Sequence, residues 1–254
     1  MKSYPSTTLS APHDDEFVQI WRYTDFTKFA SLLDKKSLYF TEFRKFEDPF
    51  EGQFRDGNRI ETMEKLEKGF EGNQQMLEYL HNENPIDRST KDLHSLGSYY
   101  ISCWHENEYE SAAMWKLYSD QEKGIAIQSN FKNLCDCFSV YEPEVIIGKV
   151  MYIDYKKDSI PWGNGLKIFK PFMYKRRSFI HEQEIRAMVY IRKGEKNEKK
   201  DGIYVPVSLN KLIEKIYVSP KSPEWFFDLV KSITKKYRLN KEIIKSDLYK
   251  DKLF

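Results

Sequence analysis

The sequence contains few of the residues on which disulfide, redox and metal chemistry most often depend. Three cysteines and five histidines occur among 254 residues. Because the cysteine count is odd, at least one thiol stays unpaired within the chain, which suits a reducing cytosol. Cys135 and Cys137 flank Asp136, but a metal site needs more ligands nearby. We therefore predict a cytoplasmic protein without a metal.

Long apolar runs and an excess of one charge are also missing. No apolar stretch reaches the roughly 18 residues that a membrane-spanning helix needs, and residues 1–8 lack the apolar core of a secretory signal. Charged residues make up 31% of the chain, yet they nearly cancel to a net charge of +2. We therefore expect no membrane partner and no strongly basic nucleic-acid binder, although a local basic patch stays open.

Several well-known catalytic and nucleotide-binding motifs do not occur. The sequence has no P-loop, no GxGxxG fingerprint and no His-Glu-x-x-His site. Ser102 has no Gly-x-Ser-x-Gly surroundings, which argues against a hydrolase of that class. His105 follows Ser102 by three residues, but two residues do not make a catalytic triad.

What the sequence does contain is enough apolar material for a folded core. Hydrophobic residues make up 40% of the chain and aromatic residues 15%, which excludes wholesale disorder. We predict a flexible N-terminal tail over residues 1–15 and a single α+β domain over residues 16–254. Strands and helices do not alternate strictly, so we expect a central, mostly antiparallel sheet, open to splitting and flanked by helices.

Spacing and end signals predict the individual elements. Apolar residues at helical spacing after position 25 predict a helix whose N-cap is Thr24 or Asp25. Ser222 before Pro223 predicts a second helix start, with Ser222 as its cap. The other predicted elements that matter here are strands over residues 17–23, 38–40, 99–104 and 184–191, and helices over 59–80, from 112 towards Gly124, and over 166–178.

The late strand carries the most unusual pattern. Because side chains alternate across a strand, one face would hold Glu182, Glu184, Arg186, Met188 and Tyr190, and the other face would be mostly apolar. Two carboxylates and a guanidinium beside large, partly apolar groups indicate a cleft, in which neighbouring charges shift carboxyl pKa values. The alternative is a surface strand with an ordinary Glu/Arg pair.

Two further candidates lie on earlier strands. Arg22 is flanked by Trp21 and Tyr23. Its planar fork suits a phosphate or carboxylate, but the stem could equally be packed while the head lies in water. Ser102 lies inside an apolar and aromatic strand, where a serine more often accommodates packing than acts chemically.

Three other features have both a structural and a functional interpretation. Asp48-Pro49-Phe50-Glu51 predicts a turn that presents two carboxylates rigidly. Trp115 and Tyr118 share a helix face, which suits core packing or stacking on a nucleobase or nicotinamide. The basic run over residues 170–177 suits a solvated face or the binding of an anion.

Several of these stretches, taken in order over residues 18–220, resemble a bacterial and phage family known as domain of unknown function 2971. Glu47 and Trp104 depart from the family pattern, which usually has Asn and Phe there. The family name implies no activity. The resemblance rests on Trp21-Arg22-Tyr23, Leu38-Tyr39-Phe40, Phe46-Glu47-Asp48-Pro49-Phe50-Glu51, Ser102-Cys103-Trp104, Met114-Trp115-Lys116-Leu117-Tyr118, Gly124 and Glu182-x-Glu184-x-Arg186.

The order Arg22, Ser102, Glu182-x-Glu184 is also similar, more distantly, to the ADP-ribosyltransferase fold. That resemblance implies NAD as a substrate, with Arg22 at its phosphates or ribose and Ser102 positioning the ribose. It implies that Glu184 stabilises the oxocarbenium-like transition state and that Glu182 orients or activates the acceptor. The expected NAD-binding set also includes Tyr23, Trp115, Tyr118 and Arg186. The chain departs from the usual Ser-Thr-Ser pattern, and that fold does not require Arg186.

Our working hypothesis is therefore an NAD-consuming, ADP-ribosyltransferase-like enzyme, a toxin or phage-defence effector that modifies a protein or nucleic acid. One alternative is a non-enzymatic module that binds a nucleotide or a partner protein through Trp115, Tyr118 and the basic run. The other is a metal-dependent nuclease, in which carboxylates would hold Mg²⁺; its ligands would be Asp48, Glu51, Glu182 and Glu184.

Overall fold

A ten-stranded, mostly antiparallel sheet forms the centre of the protein in a computed structural model. The structure describes residues 8–10, 16–53, 97–158, 167–195 and 201–250, with isolated positions between 64 and 78. The predicted helix over 59–80 lies largely outside the described residues. The strands are β1 Thr8–Ser10, β2 Gln19–Asp25, β3 Ser37–Glu42, β4 Gly97–Glu106, β5 Gly124–Asn130, β6 Ile146–Lys149, β7 Met151–Ile153, β8 Tyr174–Arg176, β9 Glu184–Arg192, β10 Gly202–Pro206, β11 Lys215–Val218 and β12 Glu242–Lys245.

The strand order runs β1-β6-β9-β4-β2-β5-β11-β12, with β3 joining β4 to β10. Two pairs in this sheet are parallel, β1 with β6 and β11 with β12, and β7 and β8 form a separate parallel pair. β1 belongs to the segment that the sequence predicts as a loose tail, so part of that segment is an edge strand instead. The mixed α+β class with a central, mostly antiparallel sheet is confirmed.

Helices flank the sheet. None of the helices in the described part of the chain is long and apolar enough to cross a membrane. The α-helices are α1 Phe26–Lys35, α2 Ala112–Tyr118, α3 Phe131–Asp136, α4 Leu209–Leu212 and α5 Glu224–Lys236, and the 3-10 helices are Phe43–Lys45, Cys137–Val140, Lys167–Met173 and Arg177–Glu182.

The first residues of α1 and α5 show which residues cap these helices. The Asp25 carboxylate accepts a hydrogen bond from the Lys28 N–H at 2.8 Å, so Asp25 rather than Thr24 is the N-cap of α1. At α5 the cap position belongs to Pro223 and not to Ser222, and no side chain caps that end. The predicted helix start after Ser222 and Pro223 is confirmed, but the predicted cap is wrong.

The two faces of β9 are both buried. Ile185 and Val189 belong to the larger hydrophobic cluster, which also takes in residues of α1 and α5. On the opposite face, Met188 packs with Tyr99 and Phe172 in a second cluster. The alternation predicted for this strand is confirmed, and the alternative of an exposed surface strand is wrong because chain segments cover both faces.

The segment before β9 differs from the helix predicted over 166–178. It consists of two 3-10 helices separated by the short strand β8. Pro171 lies inside the first of them; it lacks an N–H donor and disfavours α-conformation at Lys170, so an α-helix cannot run through it. The predicted basic helix is therefore wrong, and its residue Lys175 lies on β8.

The sheet splits beside β4. Along one edge, β4 pairs with β3 at Tyr100 and Ile101, and with β2 at His105 and Glu106. β2 and β3 therefore diverge from one another along the middle of β4. The gap between these two strands leaves room for a cavity beside the middle of β4. The candidate site lies in this cavity.

Candidate active site

A cavity of about 730 Å³ opens beside the split in the sheet. Its volume falls in the range of about 300–1,000 Å³ that is typical of small-molecule sites. One wall comes from β2 and β4, and another from β8, the following 3-10 helix and the start of β9. The lining residues that matter for the chemistry are Arg22, Tyr23, Glu51, His105, Tyr118, Lys175, Glu182 and Glu184.

Arg22 bridges the split between the strands. Its guanidinium donates to the Ser102 hydroxyl, to the Cys103 carbonyl at 3.2 Å and to the Tyr39 carbonyl at 3.3 Å. It also lies over the Trp104 ring, 5.8 Å from the ring centre. The guanidinium of this β2 residue thus donates to backbone carbonyls of both β3 and β4.

The charge of Arg22 has only neutral partners among these contacts. Burial lowers the pKa of Arg22, and no carboxylate in the described part of the chain forms an ion pair with it. The named contacts use three of its five N–H groups. A partly buried cation at a cavity wall, with donors to spare, is suited to an anionic ligand.

Glu184 lies at the centre of a buried ion cluster. Its Oε1 is 2.6 Å from the Lys175 ammonium, and its Oε2 is 2.6 Å from Nε of Arg186. Glu51 joins the same two cations, 3.3 Å from Lys175 and 2.7 Å from Arg186. Arg186 is fully buried, and it also donates to the Phe172 carbonyl at 2.7 Å.

The cluster keeps Glu184 ionised. Burial acts to raise the pKa of Glu184, but Arg186, with help from Lys175, holds it well below its usual value. Burial acts to lower the pKa of Lys175, and Glu184 and Glu51 hold it above its usual value. Glu184 is therefore a fixed negative charge in a water-poor wall of the cavity.

Glu182 lies beside Glu184 but not on the same strand. Gln183 has φ +40°, in the left-handed region, and it turns the chain between the 3-10 helix and β9. The predicted strand face starting at Glu182 is therefore wrong. Because of this turn, the carboxylates of Glu182 and Glu184 both contact the Lys175 ammonium, where a regular strand would hold them about 7 Å apart.

Glu182 carries a different charge state from Glu184. Burial, followed by the neighbouring Glu184 carboxylate, raises the pKa of Glu182 to about 7. The Tyr118 hydroxyl donates to Oε1 of Glu182 at 2.6 Å, and burial with this bond raises the pKa of Tyr118. The two adjacent glutamates thus differ, since Glu184 is ionised at neutral pH and Glu182 can take a proton there.

The turn after β3 closes the cluster. Asp48 accepts from Arg176 at 3.1 and 3.0 Å, which holds the turn against β8. Gly52 has φ +72°, and a Cβ there would lie 2.3 Å from Cε1 of Phe172. The predicted turn is present, and it directs Glu51 towards the buried cations.

The predicted site residues do not all reach the cavity. Glu182, Glu184, Arg22, Tyr23 and Tyr118 line it. Ser102 contacts Arg22 instead of lining the wall, and Arg186 lies behind Glu184.

Trp115 lies outside the cavity, although Tyr118 on the same helix lines it. The Trp115 ring is 3% exposed, contacts Tyr23 edge-to-face, and donates to Glu110 at 2.9 Å. A ring held in this way is a core residue and not a stacking platform for the cavity. The shared helix face was correctly predicted, but the two residues differ in burial.

Two residues of the site were not predicted. Lys175 belongs to the basic run, which the sequence assigns to a solvated face or to anion binding, yet it is 7% exposed and contacts three carboxylates. His105 has no partner in the sequence that would make a triad, yet its side chain is 5% exposed and lines the cavity. Its position three residues after Ser102 places it on the opposite face of β4, which the strand alternation could have shown.

The carboxylates of the nuclease alternative converge on an ammonium. Lys175 Nζ lies among Glu51, Glu182 and Glu184, so these three carboxylates are paired with an ammonium. Asp48 pairs with Arg176 and not with Lys175. Among the described residues, no group of three or more His, Cys, Asp or Glu side chains could hold a metal ion.

The chain has a distant structural likeness to a solved protein and no match to a family model or a curated protein. No family model matches the chain, so the resemblance to domain of unknown function 2971 has no support from a family model. No curated protein matches it either. Among solved structures, the chain is similar to DarT of Thermus sp. 2.9 in complex with NAD+, at 10% identity and a TM-score of 0.37, over 96% of this chain and 98% of that chain.

Proposed function

We propose that the protein is an NAD-consuming enzyme that transfers ADP-ribose from NAD to an acceptor. The observation that carries this proposal is that two opposite charges line one cavity. Arg22 offers a guanidinium with neutral partners, and Glu184 offers a carboxylate whose charge is fixed by Lys175 and Arg186. NAD has matching parts, an anionic pyrophosphate and a ribose that becomes positively charged during transfer.

The reaction would break one bond at the nicotinamide ribose and form another. The bond between C1′ and the nicotinamide nitrogen breaks, and its electron pair leaves with nicotinamide. The positive charge that develops on the ribose lies near Glu184, whose charge needs no reorganisation because Lys175 and Arg186 already fix it. Each Glu184 oxygen keeps a lone pair for a ribose hydroxyl, since a carboxylate has about four acceptor sites.

Glu182 takes the second role. The acceptor forms the new bond to C1′ and gives up its proton to the ionised Glu182 carboxylate. A pKa of about 7 suits a group that accepts a proton near neutral pH. Tyr118, which is 46% exposed and lines the cavity, holds this carboxylate at the accessible side of the site.

The binding-module alternative would use the same cavity without turnover. Its three predicted components, Trp115, Tyr118 and the basic run over residues 170–177, do not form one surface. Trp115 is buried outside the cavity, and the basic run is not a helix. A carboxylate that is ionised at neutral pH repels an anionic ligand, but it stabilises the positive charge that develops on the ribose during transfer. The transferase interpretation explains both charges.

The test is calorimetric titration of NAD, together with measurement of nicotinamide release. We expect the wild-type protein to bind NAD and release nicotinamide slowly, even with water as the acceptor. Glu184→Gln should abolish release. The matched control is Glu195→Gln, which removes an exposed carboxylate and should leave both measurements unchanged.

Because Glu184 is part of the buried cluster, its variant needs a second measurement. Circular dichroism should show whether Glu184→Gln is folded, and Glu182→Gln, which removes a different carboxylate, should slow transfer without preventing NAD binding. No binding of NAD by the wild-type protein would overturn the proposal. Binding with full release in a folded Glu184→Gln variant would also overturn it.

A further inference from the structure

His105 presents a nitrogen that nothing in the described structure explains. Its Nδ1–H donates to the Glu182 carbonyl oxygen at 2.6 Å. Its other ring nitrogen, Nε2, is buried and has no hydrogen-bond partner among the described residues. The whole side chain is 5% exposed, and the ring lines the cavity.

The state of the ring follows from these contacts. Burial lowers the pKa of His105, so the imidazole is neutral. With the proton held on Nδ1 by the Glu182 carbonyl, Nε2 carries a lone pair and can only accept. A buried acceptor without a donor costs free energy, and such groups are rare in folded proteins unless a ligand or another group completes them.

The position of His105 indicates which part of a ligand it faces. In the register of β4 and β9, His105 lies directly opposite Glu184. Side chains of opposed residues lie on the same face of a sheet with Cβ atoms about 4.5–5.5 Å apart. The next pair on that face, Cys103 and Arg186, belongs to the buried cluster. His105 and Glu184 are thus two acceptors side by side at the cavity.

Two adjacent acceptors call for two adjacent donors on the ligand. A phosphate or carbonyl group has no hydrogen to offer Nε2, so neither can satisfy it. The vicinal hydroxyls of a ribose are two neighbouring O–H donors, and each can donate to a separate acceptor. Glu184 would take one of them in the reaction proposed for this site.

We propose that His105 is a positioning and specificity residue whose Nε2 accepts a hydrogen bond from one hydroxyl of the nicotinamide ribose, while Glu184 accepts from the other. This inference rests on the proposed function and deepens it. It assigns the ribose diol to two named acceptors, and it excludes a nucleotide whose sugar lacks one of these hydroxyls as a good substrate.

Two substitutions distinguish the role of Nδ1 from the role of Nε2 in the His105 ring. His105→Asn keeps a donor near Nδ1 for the Glu182 carbonyl and removes the acceptor at Nε2. His105→Gln extends an amide oxygen to the place of Nε2. Titrated with NAD, His105→Asn should bind about tenfold more weakly than wild type, and His105→Gln should stay within about threefold of it.

A second measurement does not depend on catalysis. Nitrogen-15 spectra of the imidazoles should show the His105 Nε2 resonance moving upfield when NAD is added to wild type, as expected when this nitrogen accepts a hydrogen bond. The chain has five histidines, and the spectrum of His105→Asn identifies the resonance. Thermal melting of both variants should match wild type within a few degrees.

NAD analogues test the ribose assignment itself. Two analogues, deoxygenated at the 2′ or the 3′ position of the nicotinamide ribose, remove one hydroxyl each. One of them should bind wild type and His105→Asn equally, because the bond in question is already absent. If both analogues still distinguish the two proteins by tenfold, the assignment of Nε2 to a ribose hydroxyl is overturned.

The outcomes separate this inference from the function on which it rests. If wild type binds NAD, but His105→Asn binds it equally and the Nε2 resonance does not move, only the role of His105 is overturned. If wild type does not bind NAD, the proposed function fails and the role of His105 fails with it.

Discussion

The ammonium of Lys175 lies 2.6 Å from Oε1 of Glu184, and each side chain is less than a tenth exposed. The same ammonium also contacts Glu51 and Glu182. Two cations, Lys175 and Arg186, thus balance three carboxylates in the interior. Removing one member of such a cluster leaves the others buried without compensation, which costs more than the cluster contributes as a whole.

Lys175→Met should strongly destabilise the protein. The variant keeps most of the side-chain volume but leaves three carboxylates with one cation, so we expect the free energy of unfolding to fall by about 3–5 kcal/mol. Urea denaturation at pH 7 measures the change. Lys193→Met, at an exposed position, should change it by less than about 0.5 kcal/mol. Equal effects of the two substitutions would show that the cluster does not hold the fold.

Glu182 should make the protein less stable as the pH rises. Its pKa is about 7 in the folded protein against a usual 4.5, so the folded state binds the extra proton between these values. The contribution of this proton to the free energy of unfolding is complete below pH 4.5. It is lost as the pH rises through 7, and the loss amounts to up to about 3 kcal/mol. Glu184 acts in the opposite sense, because its lowered pKa stabilises the fold above pH 4.5 and loses this effect in acid.

Urea denaturation of wild type and Glu182→Gln between pH 4.5 and 8 isolates the contribution of Glu182. The unfolding free energy of the wild type should fall relative to that of Glu182→Gln as the pH rises across this window, because only the wild type has to ionise this buried carboxyl. Glu195→Gln, at an exposed position, should follow the wild-type profile throughout. A constant difference between wild type and Glu182→Gln would show that the pKa of Glu182 is not raised.

Arg22→Lys should weaken NAD binding although it keeps the positive charge. A lysine has no planar fork, so it cannot reach Ser102 and the carbonyls of Cys103 and Tyr39 together and still offer donors to a ligand. We expect at least about a tenfold loss of NAD affinity by calorimetry. Arg192→Lys, at an exposed position, should leave the affinity unchanged. Wild-type affinity in Arg22→Lys would remove Arg22 from the binding site.

Gly52→Ala should destabilise the turn that carries Glu51. The position has φ +72°, and an added Cβ would lie 2.3 Å from the Phe172 ring. Gly194→Ala is a matched control, since its φ is +83° but nothing lies within 4 Å of an added Cβ. We expect about 1 kcal/mol of backbone strain in both variants and a further 1–3 kcal/mol in Gly52→Ala from overpacking. Thermal unfolding measures both, and equal losses would contradict the packing argument.

Local rules predicted the elements that local interactions decide. Asp25 caps α1 because its carboxylate reaches the N–H three residues on, and both are set by neighbouring sequence. The alternation of Ile185 and Met188 between two core clusters follows from the geometry of a single strand. The turn at Asp48 and Gly52 follows in the same way from a proline and a glycine.

Local rules failed where distant segments set the environment of a residue. A basic run is usually solvated, and the buried position of Lys175 is tolerable because three carboxylates surround it, one of which, Glu51, comes from the distant turn after β3. Glu182 does not lie on the predicted strand face, because it is the last residue of a 3-10 helix that ends at the left-handed Gln183. Nothing in the residue type of a glutamine signals that conformation.

By itself, the sequence determined the α+β class, the strand that carries Glu184 and the order in which Arg22, Ser102 and Glu184 occur, because periodicity and turn chemistry act over a few residues. Only the tertiary structure decided that Arg22 and Glu184 share a cavity, that Trp115 does not reach it, and that His105 does. Burial and ion pairing depend on which distant segments meet, and those contacts form only when the sheet and the 3-10 helices pack together.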